Sequence, residues 1–220
     1  MIKKPSVVFF DAVGTLLKPA TPVDETYHRY GLKYGSAISK DSIRNQFYES
    51  FKKEELKDVS LDCKTNEARE CERWESIVSE CFPDLKSTAP LFNDLFKYFS
   101  NPSAWELYPG TIPVLKHLEN IGINWGIASN FDLRLQSIVK SKVELSNCTW
   151  LIISSLIGYK KPSRHFFDHL QKSSGVSYER LLMVGDSPEN DIQPAKELGM
   201  QTFEIKEGQS LEDLLQLLGR

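Results

Sequence analysis

Four short polar clusters follow apolar runs along this chain, and together their side chains could handle a small anion. In Val8-Phe9-Phe10-Asp11-Ala12-Val13-Gly14-Thr15-Leu16 a hydrophobic run delivers a carboxylate to its tip. Gly14 permits the sharp turn that lets backbone groups approach a bound anion. Ala128-Ser129-Asn130-Phe131-Asp132 offers a hydroxyl and an amide ahead of a helix, where free N–H donors suit a phosphate-like group. Gly158-Tyr159-Lys160-Lys161-Pro162-Ser163 holds a lysine extended before proline, which could aim an ammonium. Leu182-Met183-Val184-Gly185-Asp186-Ser187-Pro188-Glu189-Asn190-Asp191 again places a carboxylate after a buried run. Asp186 beside Asp11 would make a two-carboxylate site for a hard divalent cation such as Mg²⁺, with Asp191 orienting that shell or Lys161. Each cluster also has a plainer reading: a turn-closing Asp, helix caps at Ser129 or Asp191, and a solvated lysine pair. Their fixed order, each at the end of an expected strand, is what coincidence does not supply.

The elements that must position these groups are legible as patterns. Short β-branched or aromatic runs at Ser6 to Phe10, Ile123 to Ala128, Thr149 to Ile153, Arg180 to Val184 and Gln201 to Ile205 predict strands. Helical apolar spacing follows most of them, as at Leu133, Ile138 and Val139, or Phe166, Phe167 and Leu170. Strands alternating with helices imply an α/β fold, a Rossmann-like parallel sheet covered on both faces, with ligands beyond the carboxyl ends of its strands.

From about Thr21 to Phe99 only helical patterns occur. Tyr27, Tyr30 and Tyr34; Ile43, Phe47 and Phe51; Trp74, Ile77 and Val78; and Leu91, Leu95, Phe96 and Phe99 form apolar stripes, punctuated by Pro22, Pro83, Pro90 and Pro102. An inserted α-helical cap domain at 18–102 follows, over a core domain made of 1–17 and 103–220. The charge run Lys52 to Lys57 reads as a solvated helix face.

The chain has 220 residues, 40% of them hydrophobic, enough for one core plus a smaller inserted unit. A formal net charge of -3 with mixed signs leaves no basic stripe to displace counterions, so no nucleic acid partner is expected. The apolar runs are too short to cross a bilayer, and the start Met1-Ile2-Lys3-Lys4-Pro5 lacks a following signal-peptide core. A cytoplasmic protein with no membrane partner is therefore expected, as a monomer or small homo-oligomer. Cys63, Cys71, Cys81 and Cys148 lack zinc-type spacing and are expected to be reduced thiols.

The ordered clusters resemble the four motifs of the haloacid dehalogenase superfamily, matched by Asp11 to Thr15, Ser129-Asn130, Lys161 and Gly185 to Asp191. Trp105-Glu106-Leu107-Tyr108-Pro109-Gly110 resembles the return from the cap in the subfamily whose helical cap lies between the first two motifs. The resemblance implies that Asp11 attacks phosphorus or carbon and that Lys161 bridges Asp11 and the transferring group. It also implies that Gly14, Thr15, Ser129 and Asn130 contact the phosphate. Mg²⁺ would be held by Asp11, the Val13 backbone carbonyl and Asp186, with Asp191 beside it. The implied function is a Mg-dependent phosphatase acting on a small phosphorylated metabolite through an aspartyl-phosphate on Asp11.

One departure qualifies that reading. Phosphatases of the family usually carry a second Asp two places after the nucleophile as acid and base, and here Val13 stands there. A positioned proton donor is worth about 10² to 10⁴ in rate, so good leaving groups or a donor from the cap would be needed. Asp24, Glu25 and His28, close together by helical spacing, are the candidates for such a donor. The family's dehalogenases also lack that second Asp, but they need no metal and typically lack the carboxylate equivalent to Asp186. A 2-haloacid dehalogenase and a catalytically weak phosphate-binding protein are the alternatives.

Overall fold

The computed structural model describes residues 4–206 and 208–218, so three residues of the Met1 to Pro5 start lie outside it. Strand β1 (Val7–Phe10) is buried along its whole length because it lies at the centre of a five-stranded parallel sheet. On one side come β4 (Asn124–Ser129) and β5 (Trp150–Ile153); on the other come β6 (Leu181–Gly185) and β7 (Gln201–Glu204). Phe10 pairs with Ile127 on one flank and Val184 on the other, so the strands around β1 end level with one another. The order β5-β4-β1-β6-β7 reverses direction at β1, the topological switch point where such sheets bind ligands.

The pleat of β1 divides the core. Val8 and Phe10 pack with Trp125, Ile127 and Val184 on one face, while Val7 and Phe9 meet Phe166, Phe167 and Met183 on the other. A two-stranded antiparallel ribbon, β2 (Leu17–Pro19) with β3 (Trp105–Leu107), stands apart from the sheet. The strand expectations are met, but this ribbon was not expected: three residues per strand are too few for an alternating pattern to register.

Between β2 and β3 the chain forms α1 (Val23–Lys33), α2 (Lys40–Ser60), α3 (Glu67–Cys81) and α4 (Ala89–Ser100). Ser39 and Asn66 cap α2 and α3 by accepting N–H bonds from Ser42 and Arg69. The four apolar stripes meet around Tyr27, Ile43, Ile77, Phe82, Leu91 and Leu95. The remaining helices, α5 (Thr111–Asn120), α6 (Arg134–Lys140), α7 (Ser154–Ile157), α8 (Arg164–Ser174), α9 (Gln193–Glu197) and α10 (Asp213–Leu218), connect or follow the sheet strands. The expectation for the charge run on α2 holds in part, since Lys52, Lys53, Leu56 and Lys57 are exposed. Within and beside the supposedly solvated run, Glu54 and Asp58 are buried, because Arg69 and Arg73 of α3 pair with them.

Candidate active site

The backbone N–H of Asp11 donates to the Val184 carbonyl, which pins the end of β1 to β6 and holds Asp11 at the switch point. Lys161 reaches the same place from the loop after α7: its ammonium donates to Asp11 Oδ1 at 2.7 Å, Asp191 Oδ1 at 2.5 Å and the Ala128 carbonyl at 2.9 Å. Lys161 is 2% exposed, and burial alone would lower its pKa; Asp11 and Asp191 outweigh that and raise it, so the ammonium stays charged. Burial raises the Asp11 carboxyl, with Lys161 opposing and Asp186 adding to the rise. Burial likewise pushes Asp191 up to about 6, against the pull of Lys161.

Asp186 packs against the turn that follows Asp11, near enough for its charge to act on the Asp11 carboxyl. A Cβ on Gly14, whose φ is +97°, would lie 2.2 Å from Asp186 Oδ2, so only glycine lets this carboxylate settle there. Gly185 is equally tied to its place, since a Cβ there would lie 2.3 Å from Asp191 Oδ2. Asp186 is exposed along the cavity wall, yet enough protein surrounds it for burial, and then Asp191, to raise its carboxyl.

Two of the expected phosphate contacts, Gly14 and Thr15, take other places. The Gly14 N–H is committed to the Leu17 carbonyl, Thr15 is wholly buried, and neither is among the described residues that line the cavity. Asn130 holds the lysine loop: its Nδ2 donates to the Lys161 carbonyl at 2.9 Å and its Oδ1 accepts the Lys161 N–H at 2.7 Å. One amide N–H remains for a ligand. Ser129 and Asn130 both line the cavity that Asp11 and Val13 line. The helix expected just behind Ser129 begins later, at Arg134, with Asp132 accepting the Arg134 N–H.

The model of the haloacid dehalogenase-like hydrolases matches residues 5–199. The chain belongs to the haloacid dehalogenase-like hydrolase family. Among curated relatives, the haloacid dehalogenase-like hydrolase domain-containing protein 3 of Mus musculus is 23% identical over 208 residues, covering 92% of this chain and 82% of that protein. The phosphatase of this family from Thermococcus onnurineus superposes with a TM-score of 0.66 at 24% identity, covering 97% and 98% of the two chains. The L-2-haloacid dehalogenase of Xanthobacter autotrophicus, solved with chloropropionic acid covalently bound, gives 0.72 at 16%, covering 91% and 77%. These two structures share the fold and divide on the chemistry. No helix among the described residues is long and apolar enough to cross a membrane.

The lysine pair of this haloacid dehalogenase-like hydrolase is not solvated. Lys160, 3% exposed, turns away from Asp11 into the helical layer, where its ammonium donates to Asp58 Oδ2 at 2.6 Å and lies 3.6 Å from Glu70. Its backbone N–H donates to the Cys63 carbonyl, and the Thr65 N–H donates to the Gly158 carbonyl. Glu67 of α3 also bonds Ser155 and the Leu133 N–H, at 2.9 Å for the latter. The helical layer is thus clasped to the sheet layer beside the lysine loop. Lys161→Ala should lower turnover by about 10² or more, because its ammonium meets the Asp11 and Asp191 carboxylates. Lys160→Ala should chiefly lower the urea midpoint, with turnover kept within about tenfold. Kinetics on folded protein in which Lys160→Ala is the slower variant would reverse this assignment.

A cavity of about 950 Å³ joins both layers, lined by Asp11, Val13, Lys161 and Asp186 on one side and by α2, α3 and α4 on the other. Asp24, Glu25 and His28 are not among its described lining residues, and Asp24 is paired with Arg44 at 2.5 Å. Spacing placed them together on α1, but Val23 and Tyr27 are what that helix turns toward the cavity. Glu55, which sequence reading missed inside the charge run, does line it, and its Oε1 accepts from Asn190 Nδ2 at 3.3 Å.

Proposed function

We propose that this hydrolase is a Mg²⁺-dependent phosphatase. A small phosphorylated substrate would pass its phosphoryl group to Asp11 and then to water, under a cap formed by residues 18–102. The reading rests on Asp186: a second carboxylate packs against Gly14 in the turn after Asp11, although its charge adds to the burial that raises the Asp11 carboxyl. The donor set suits a hard divalent cation, since Asp11, Asp186 and the Val13 carbonyl are oxygen ligands, and Mg²⁺ characteristically takes one or two carboxylates. When bound, the ion supplies positive charge against the phosphoryl oxygens.

The protein's own groups divide the remaining work. An Asp11 oxygen forms a bond to phosphorus as the bond from phosphorus to the leaving oxygen breaks. Lys161 stays protonated and offsets the charge of both the carboxylate and the phosphoryl group. Asp191 holds that ammonium in place. Water then attacks the aspartyl phosphate, releasing inorganic phosphate and restoring Asp11. Val13 supplies no proton to the departing oxygen, so the leaving group must carry its own negative charge away.

Phosphate release should need Mg²⁺, and Asp186→Ala should lower kcat/KM by about 10² or more while weakening metal dependence. Equal rates in chelator and in Mg²⁺ would favour carbon–halogen hydrolysis. That second reading draws on Val13, and release of halide from 2-haloacids tests it directly.

A further inference from the structure

The cap end of the cavity has a chemistry of its own. Two runs of touching rings line it: Phe47, Phe51 and Trp74 from α2 and α3, then Phe99, Trp105 and Phe131 from α4, β3 and the loop after β4. Phe47, Phe51, Trp74 and Phe99 are only half-buried although they belong to the cap's apolar cluster, so their remaining surface is open. Trp105 satisfies its indole N–H on the Phe99 carbonyl at 2.9 Å, leaving the ring for apolar contact.

The buried cations among these walls already face carboxylates, with the Arg73 Nε–H the one side-chain donor among them left without a partner in the described residues. Arg73 donates to Asp58 at 2.8 Å with its guanidinium 4.6 Å from the Phe51 ring centre. Arg134 is held by Asp132 through two bonds, at 2.7 and 2.6 Å, and lies 4.0 Å from the centre of Phe96. Lys160 and Lys161 face carboxylates, and Lys52, the other cation among the described lining residues, is exposed to solvent. A second anionic group on the substrate would therefore find no unmatched buried cation, and would meet Glu55 and Glu189 on the same walls.

We infer that the substrate's leaving group is an uncharged planar aromatic one, so that the physiological substrate is an aryl phosphate monoester. The inference rests on the phosphatase reading above and narrows it. Two independent observations agree on it. Flat rings gain most from burial between aromatic walls, and a cavity of about 950 Å³ has room for more than one ring. A phenol-type oxygen ionises near the value of a tyrosine side chain, about 10, so it can leave as the anion without a donor at position 13. In the first step phosphorus moves from the aryl oxygen to Asp11 and the aryloxide keeps the bonding electron pair, taking its proton from solvent. Water then releases phosphate, giving a phenol and inorganic phosphate from ester plus water.

The test holds leaving-group acidity nearly fixed and varies apolar area: kcat/KM is compared for phenyl phosphate and 2-naphthyl phosphate, with acetyl phosphate and glycerol 3-phosphate as further substrates, all with Mg²⁺. The second ring should raise kcat/KM roughly tenfold, mainly through KM, and glycerol 3-phosphate should be the poorest substrate. Trp74→Ala should erase most of the naphthyl preference and Trp74→Phe should keep it, so loss of a ring is separated from loss of fold. Turnover of acetyl and phenyl phosphates with no gain for naphthyl, or with glycerol 3-phosphate preferred, would overturn this inference and leave the phosphatase reading standing. Turnover of none of the four would overturn both.

Discussion

Asp11→Asn is expected to lower phosphate release by at least about 10³-fold in a protein that still folds, because an amide is neither a competent nucleophile nor an anionic ligand. The fold should survive for a local reason. Lys161 keeps Asp191 and the Ala128 carbonyl as partners when one of its carboxylates is neutralised, so no buried ammonium is stranded. The change also removes a buried charge that Asp186 repels. A thermal midpoint equal to or above that of the wild type should therefore accompany the loss of rate. More than a tenth of the wild-type turnover in a folded Asp11→Asn protein would take Asp11 out of the mechanism.

Asp58→Ala should have the largest effect on stability, about 3–5 kcal/mol by urea unfolding. Asp58 is 2% exposed and accepts from Lys160 at 2.6 Å, Arg69 at 2.7 Å and Arg73 at 2.8 Å. Without it Arg69 retains Glu54, and Lys160 retains the more distant Glu70 at 3.6 Å. Arg73 loses its one carboxylate partner among the described residues, a buried charge left uncompensated. Burial alone would raise the Asp58 carboxyl, but Lys160, Arg73 and Arg69 hold it below its ordinary value. A depressed folded value means that this contribution is complete above the unfolded value, near about 4, and is lost as pH falls through the folded one. The difference between wild type and Asp58→Ala should accordingly shrink on acidification below about pH 4. A difference smaller than about 1 kcal/mol at neutral pH would show that the cluster contributes little.

What could be read from the residues, and what could not, divides along a physical line. The runs ending at Phe10, Ala128, Ile153 and Val184 announce strands because a central parallel strand is apolar on both faces. The polar residues that follow them stand at one end of one sheet because every strand points the same way. Spacing also grouped Tyr27, Ile43, Ile77 and Leu91 on the right helix faces. Spacing does not say what a face meets. Glu54 and Asp58 look solvated until the arginines of α3 arrive from another part of the chain. Lys160 is indistinguishable from a surface lysine by type, and Asn130 from a ligand-binding amide. Asp24 and His28 share a helix face, but the tertiary packing of α1 decides that Tyr27 and Val23 approach the cavity instead.

The two adjacent lysines impose a rule of parity on the loop that carries them. Tyr159 bridges Lys64 as an extended pair, and side chains along extended backbone alternate sides. Lys160 therefore reaches the helical layer and Lys161 the sheet layer, from one stretch of chain whose phase is fixed by Pro162. Shortening or lengthening the stretch between Tyr159 and Pro162 by one residue would exchange the two directions. A change of two residues would restore them. Loop length at this place is thus constrained by odd and even rather than by size.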